Sequence, residues 1–144
     1  MSTRTARTAW NGTLMEGSGQ VELTSSGAGT FDVSFPRRTA EEAVGTSPEE
    51  LIAAAHTSCY AMQLSAVIAE AGGTPVALEV SADVTLRPDP AGGLHITTIA
   101  LTVRGEVEGL DADGFLAAAE NAKATCPVSK ALTGTEITLN ASLA

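Results

Sequence analysis

The spacing of apolar residues along the chain changes several times, and each change marks an element. In the first 35 residues the period is two. Phe31, Val33 and Phe35 alternate with Asp32 and Ser34, as in a half-buried strand. Val21 to Thr24 and Thr30 to Phe35 read as short strands around a glycine-rich turn from Ser25 to Gly29, and Asn11-Gly12 signals a hairpin. Pro36 is expected to stop the strand, leaving a polar loop from Arg37 to Gly45. Ser47-Pro48-Glu49-Glu50 then supplies a capping residue, a proline at the first helical position and a glutamate three residues after the cap, which together form a capping box. The helix it opens is expected to run to about Ala71 and to stop at Gly72-Gly73. The box assigns Glu50 to the helix start and leaves Glu49 without a structural task.

Period two returns at Leu78, Val80, Ala82, Val84 and Leu86. After a turn from Pro88 to Gly93, Leu94 and Ile96 share one phase, whereas Ile99, Leu101 and Val103 take the opposite one. A slip at Thr97-Thr98, a β-bulge, accounts for the change. Asp111 caps a predicted helix from about Ala112 to Ala124, with Phe115, Leu116, Ala119 and Ala122 on its buried face. Cys126-Pro127 opens a short second helix ending near Gly134. Ile137, Leu139, Ala141 and Leu143 alternate in a last strand. The order is strands, long helix, two strands, helix, strand, which predicts an α+β fold with antiparallel pairing and the helices on one face. With no repeat, linker or low-complexity stretch, residues 1–144 read as a single domain.

Charge narrows the range of partners. Eight Lys and Arg against 17 Asp and Glu give a net charge of −9. That disfavours nucleic acid, whose affinity comes from cations neutralising phosphates, and it disfavours anionic membrane surfaces. The side-by-side Arg37 and Arg38 therefore need a reason. Met1 to Trp10 is polar and does not read as a signal peptide. Leu51 to Ala69 is uncharged and long enough to cross a membrane, but His56, Thr57, Ser58, Gln63 and Ser65 interrupt it and alanines dilute it. A helix buried inside a cytoplasmic protein fits better. In that compartment the chain's two cysteines are a redox pair or two inert thiols rather than a structural disulfide. The His and Cys spacing matches no zinc pattern, and no metal or cofactor is expected.

Cys59 lies in mid-helix, so it reads either as a small buried residue or as a nucleophile. A nucleophile there gains nothing from the helix N-terminus and needs a separate cation. At an ordinary pKa of about 8.5 only about 3% of it would be thiolate at pH 7. Cys126 is predicted at a helix N-cap, where free N–H groups favour a thiolate. Arg37 and Arg38 are either solvated or held by an acid, and Glu49 could grip one of them through two contacts. His56, one turn before Cys59, could be a base, an anchor or a satisfied buried histidine. His95, beside a turn, is expected at the surface.

The stretch from Gly45 to Met62, GTSPEELIAAAHTSCYAM, closely resembles the signature helix of the OsmC/Ohr family of osmotically inducible and organic hydroperoxide resistance proteins. KATCPVS, from Lys123 to Ser129, resembles the family's second cysteine motif, and Trp10-Asn11-Gly12 with Ser34 to Arg38 looks like its N-terminal strands. The AAAH wording is closer to the OsmC branch. The resemblance implies a thiol-dependent peroxidase of stress defence that reduces organic hydroperoxides, with antiparallel sheets wrapped around long central helices in an intertwined two-fold homodimer. It makes Cys59 the peroxidatic cysteine, Cys126 the resolving one, Glu49 the site glutamate and Arg38 the better match to the loop arginine, with Arg37 still a candidate. It also implies an external dithiol reductant of the lipoyl type. Tyr60 stands where the family often has phenylalanine.

Glu49 and Cys59 stand about 15 Å apart along a helix rising about 1.5 Å per residue. They could share a site only if two copies of the helix cross antiparallel, near Ala53-Ala54-Ala55. Such a contact would be isologous, with two equal sites. In this scheme Arg38, fixed by Glu49, keeps Cys59 ionised. Two other readings remain. One is a non-catalytic dimeric redox sensor or stress protein using the same cysteine pair. The other is a Cys59–His56 hydrolase, which lacks an evident residue to orient the base.

Overall fold

The computed structural model describes residues 1–144 as two compact units, Met1–Leu51 and Ile52–Ala144. In the first, strands β1 (Arg7–Asn11), β2 (Ser18–Glu22) and β3 (Thr30–Val33) form an antiparallel sheet in the order β1-β2-β3. The β1–β2 hairpin opens at Asn11-Gly12, where Gly12 has a φ of 94°, a value that favours glycine. The alternation through Phe35 does not remain a strand. A short helix, α1 (Phe35–Thr39), begins there, with the Ser34 side chain accepting from the Arg37 N–H at the cap and Pro36 in the first turn. Pro36 is thus a helix-start proline, and the polar loop expected from Arg37 begins after Thr39.

Helix α2 runs from Pro48 to Glu70. Ser47 caps it by accepting the Glu50 N–H at 3.2 Å. The return half of the expected box is replaced, because the Glu50 carboxylate accepts from the Thr46 hydroxyl at 2.6 Å. The helix ends where Gly72 turns to a φ of 89° and the Gly73 N–H reaches back to the Ile68 carbonyl at 2.9 Å.

The second unit carries β4 (Thr74–Pro88), β5 (Leu94–Glu108), α3 (Ala112–Thr125), α4 (Pro127–Ala131) and β6 (Glu136–Leu143). β4 and β5 pair antiparallel, and Thr97 is the extra residue between the pairs Thr85–Thr98 and Leu86–Ile96, so the bulge falls where the phase changed. β6 pairs with β5 in parallel, which corrects the expectation of antiparallel pairing throughout. The connection through α3 and α4 is a crossover, and a crossover returns the chain in the same direction. Register stacks the core in rows: Val84–Ile99–Ile137, Ala82–Leu101–Leu139 and Val80–Val103–Ala141. Tyr60, Leu64, Val67 and Ile68 of α2, with Phe115, Ala118, Ala119 and Ala122 of α3, cover that face.

One helix face differs from expectation. Leu116 is 46% exposed, and Ala118 takes a buried place instead. Gly105 lets the neighbouring Phe115 pack closely, since a β-carbon there would lie 2.6 Å from its ring. α3 therefore seats its one large side chain on a glycine and otherwise approaches through alanines. Phe115→Ala should cost about 3–5 kcal/mol and Leu116→Ala well under that, with urea denaturation as the check.

Candidate functional site

In the first unit, the Arg38 guanidinium grips the Glu49 carboxylate. Arg38 Nη2 donates to Oε1 at 2.7 Å, and Nε donates to Oε1 at 3.0 Å and to Oε2 at 3.3 Å. α1 places the arginine and the first turn of α2 places the acid. Glu49 is only 8% exposed, which is rare for a glutamate without a partner. Arg37 is exposed and does not make this contact, so of the two adjacent arginines Arg38 holds the acid.

In the second unit, Cys59 and Cys126 are free thiols with their Sγ atoms 3.3 Å apart. α2 presents Cys59 from mid-helix, half-buried. Cys126 is wholly buried at the junction of α3 and α4. Its position follows from the residue after it. A proline disfavours helical ψ in the preceding residue, and Cys126 has φ −59° and ψ 124°. Its N–H still closes the last turn of α3 on the Ala122 carbonyl at 2.8 Å, while Pro127 opens α4. Nearby ties hold the helices in place. The Tyr60 hydroxyl donates to the Ala119 carbonyl at 2.9 Å, and Gln63 Nε2 donates to Thr125 Oγ1 at 2.9 Å. Tyr60 is thus spent on the backbone of α3, and burial, with the charges of Glu120 and Cys126, keeps its phenol protonated.

The two sulfurs differ in acidity. Burial pushes the Cys59 thiol up, and the Val128 amide only partly opposes this. Burial also works against ionising Cys126. There the Ser129 amide, the Cys59 thiol, the Ser129 hydroxyl and the Val128 amide together outweigh it and bring the thiol below its ordinary value. Within one chain Cys126 is therefore the more acidic of the two thiols, its Sγ hydrogen-bonded to that of Cys59. Sequence reasoning placed Cys126 at a helix N-cap, where free N–H groups favour a thiolate, and the structure puts it at the N-cap of α4.

His56 is wholly buried, with Nε2 2.7 Å from Ser129 Oγ. Desolvation lowers its pKa, so it is neutral near pH 7. With Nε2 engaged by Ser129, it is not free to serve as a base for Cys59. Sequence reasoning gave Ser129 no task, although its place three residues after Cys126 at a helix start puts the two on one side. His95 is exposed. No three His, Cys, Asp or Glu side chains gather into a metal site.

An OsmC-like family model matches residues 40–141, which include Glu49 and both cysteines. The chain belongs to the OsmC family. It is 43% identical over 131 residues to Peroxiredoxin OsmC of Escherichia coli, covering 91% of this chain and 90% of that one. It is 33% identical over 106 residues to the organic hydroperoxide resistance protein OhrA of Bacillus subtilis, covering 72% and 73%. The crystal structure of OhrB of Bacillus subtilis superposes with a TM-score of 0.75 at 28% identity, covering 96% of this chain and 98% of that one. An Elizabethkingia anophelis structure, at 24% identity and a TM-score of 0.79 over 99% of each chain, shares the fold.

The contrast between the adjacent arginines is testable. Arg38→Ala leaves a largely buried carboxylate unpaired and should lower stability by about 1–3 kcal/mol. Arg37→Ala, at the surface, should stay within about 0.5 kcal/mol by chemical denaturation.

Proposed function

We propose that this OsmC family member is a thiol-dependent peroxidase that reduces organic hydroperoxides to alcohols, with Cys59 attacking and Cys126 resolving. The observation that carries the reading is the pair of free thiols 3.3 Å apart, one half-buried and the other wholly buried. Only Cys59 offers surface to a peroxide. Accessibility therefore selects it as the attacking sulfur, although Cys126 is the more acidic. The names borne by the relatives, a peroxiredoxin and an organic hydroperoxide resistance protein, support the substrate class.

In the first step the Cys59 thiolate attacks the terminal oxygen of the hydroperoxide. An S–O bond forms, the O–O bond breaks, and the departing alkoxide takes a proton to become the alcohol. In the second step the Cys126 thiolate attacks the sulfenic sulfur. The S–S bond forms, the S–O bond breaks, and hydroxide leaves and is protonated to water. An external dithiol, which we take to be of the lipoyl type, is oxidised to its disulfide as it returns both cysteines to thiols. The two sulfurs carry out both steps without a cofactor, and the free thiols suit a cytoplasmic setting.

Since burial raises the Cys59 pKa within the chain, the first step needs a cation. Arg38, held by Glu49, supplies it from a second copy of the chain in this reading. α2 is apolar over a length that would suit a membrane span, yet only 28% of its most apolar window is buried within the chain. Ala54, Ala55, Ser58 and Met62 lie exposed along it. Two such helices crossing antiparallel at the alanines would cover each other and bring Glu49 of one toward Cys59 of the other, across the roughly 15 Å that separates them along a single helix. The functional unit is then residues 1–144 as one domain, paired in a homodimer with shared sites. The protonated Cys59 also suits a slow stoichiometric redox sensor, and repeated turnover separates the two readings.

The test is a coupled assay of cumene hydroperoxide against hydrogen peroxide, run with dihydrolipoamide and with thioredoxin. Turnover should favour the organic substrate. Cys59→Ser should abolish it, and Cys126→Ser should allow a single turnover and then leave Cys59 overoxidised. Sustained turnover in either variant contradicts the scheme. Light scattering should report a dimer, and a stable, active monomer would remove the shared site.

A further inference from the structure

His56, Cys59 and Gln63 follow one another on α2 at spacings of three and four, which places them on one helix face. Each meets a residue at the α3–α4 junction, and the partners run in the opposite direction. His56 Nε2 lies 2.7 Å from Ser129 Oγ, Cys59 Sγ lies 3.3 Å from Cys126 Sγ, and Gln63 Nε2 donates to Thr125 Oγ1 at 2.9 Å. The sulfur pair is thus the middle rung of a three-rung ladder. Thr125 is the last residue of α3, Cys126 sits in the break, and Ser129 lies in the first turn of α4. The outer rungs are firmly seated. Thr125 Oγ1 donates to the Asn121 carbonyl at 2.8 Å, which leaves its lone pairs to Gln63. His56 is wholly buried and its Nδ1 has no partner, so the ring spends its polarity on Ser129 at a cost in stability that an apolar side chain would avoid.

We propose that the His56–Ser129 and Gln63–Thr125 hydrogen bonds are clasps that pin both sides of the helix break to α2 and so hold Cys126 against Cys59. The four residues are positioning residues: they act through the placement of the two sulfurs. The break is where such clasps are needed. Cys126 leaves helical geometry at ψ 124°, and α4 beyond it has only five residues, too few to hold its own direction. A swing of α4 about the break would carry the sulfur away, and two thiols already in contact still have to close by about 1 Å to bond. Holding them in register converts the resolving step into an intramolecular reaction between oriented groups. That step is unchanged: the Cys126 thiolate attacks the sulfenic sulfur, the S–S bond forms, and hydroxide leaves. The clasps shorten the time in which Cys59 is open to further oxidation.

The inference deepens the proposed function and rests on it for its purpose, but its test needs no peroxide. The reduced protein is equilibrated with mixtures of reduced and oxidised glutathione. Each exchange oxidises Cys59 and Cys126 to their disulfide and turns one oxidised glutathione into two reduced. The equilibrium constant is the effective concentration of one protein thiol at the other. Thr125→Val and Ser129→Ala should each lower it about fivefold, and the two together about twentyfold. Thr125→Ser and Ser129→Thr, which keep the hydroxyl, should restore most of it. Phe115→Leu, about 16 Å along α3 from Cys126, should lower stability and leave the constant unchanged, because a general destabilisation weighs equally on both redox forms. An effect through thiol acidity has the opposite sign, since a less stable thiolate favours the disulfide and raises the constant. A constant that stays or rises in Thr125→Val or in Ser129→Ala, or that falls as far in Phe115→Leu, would overturn the clasps. If Ser129→Ala does not fold, the Val and Ser variants at the half-buried position 125 decide alone. Should the constant fall as expected in a protein that turns over no peroxide, the clasps stand and the peroxidase reading falls.

Discussion

The arrangement depends on the approach of two sulfurs, and that approach depends on a break between helices. Cys126 is the last link of α3 through its N–H and the entry to α4 through Pro127, so it sits where a helix axis changes direction. At such a junction the first N–H groups of the new helix have no carbonyl partners within it and favour negative charge nearby. The thiol there is consequently the more acidic of the pair although it is the more deeply buried. α2 supplies the other sulfur from mid-helix, and the Tyr60–Ala119 and Gln63–Thr125 hydrogen bonds fix its register against α3.

This geometry divides the work. Burial raises the pKa of the half-buried Cys59, whereas the pKa of the wholly buried Cys126 is lowered. In the proposed scheme Cys126, the more acidic and more deeply buried thiol, is the resolving one, and Cys59, whose pKa burial raises, is the attacking one and calls for a cation. In the first unit a guanidinium is held ready by an almost fully buried carboxylate. In the proposed homodimer that charge comes to Cys59 from the second chain.

Much of this was legible in the order of residues. Ser47 and Pro48 announced α2, the phase change at Thr97 announced the bulge, and the two cysteine motifs announced the family. The failures have physical causes. Phe31, Val33 and Phe35 continue a strand period past Ser34, yet Ser34 caps and Pro36 starts a helix, because local capping chemistry outweighs alternation over so short a run. β6 runs parallel to β5 because its direction is set by the crossover, which no local pattern encodes. Leu116 lies exposed while its neighbour Phe115 packs over Gly105, a contact that depends on the facing strand. The hydrogen bond between His56 and Ser129 joins α2 to α4, and only the fold brings them together.

The central claim is that Cys59 and Cys126 act as one redox unit within a single chain. It is tested most directly by adding one equivalent of cumene hydroperoxide to the fully reduced protein and mapping the peptides by mass spectrometry without reduction. The account predicts loss of both free thiols and a Cys59–Cys126 disulfide confined to one chain. Peroxide consumed with Cys126 still a free thiol, or a disulfide joining two chains, would contradict it.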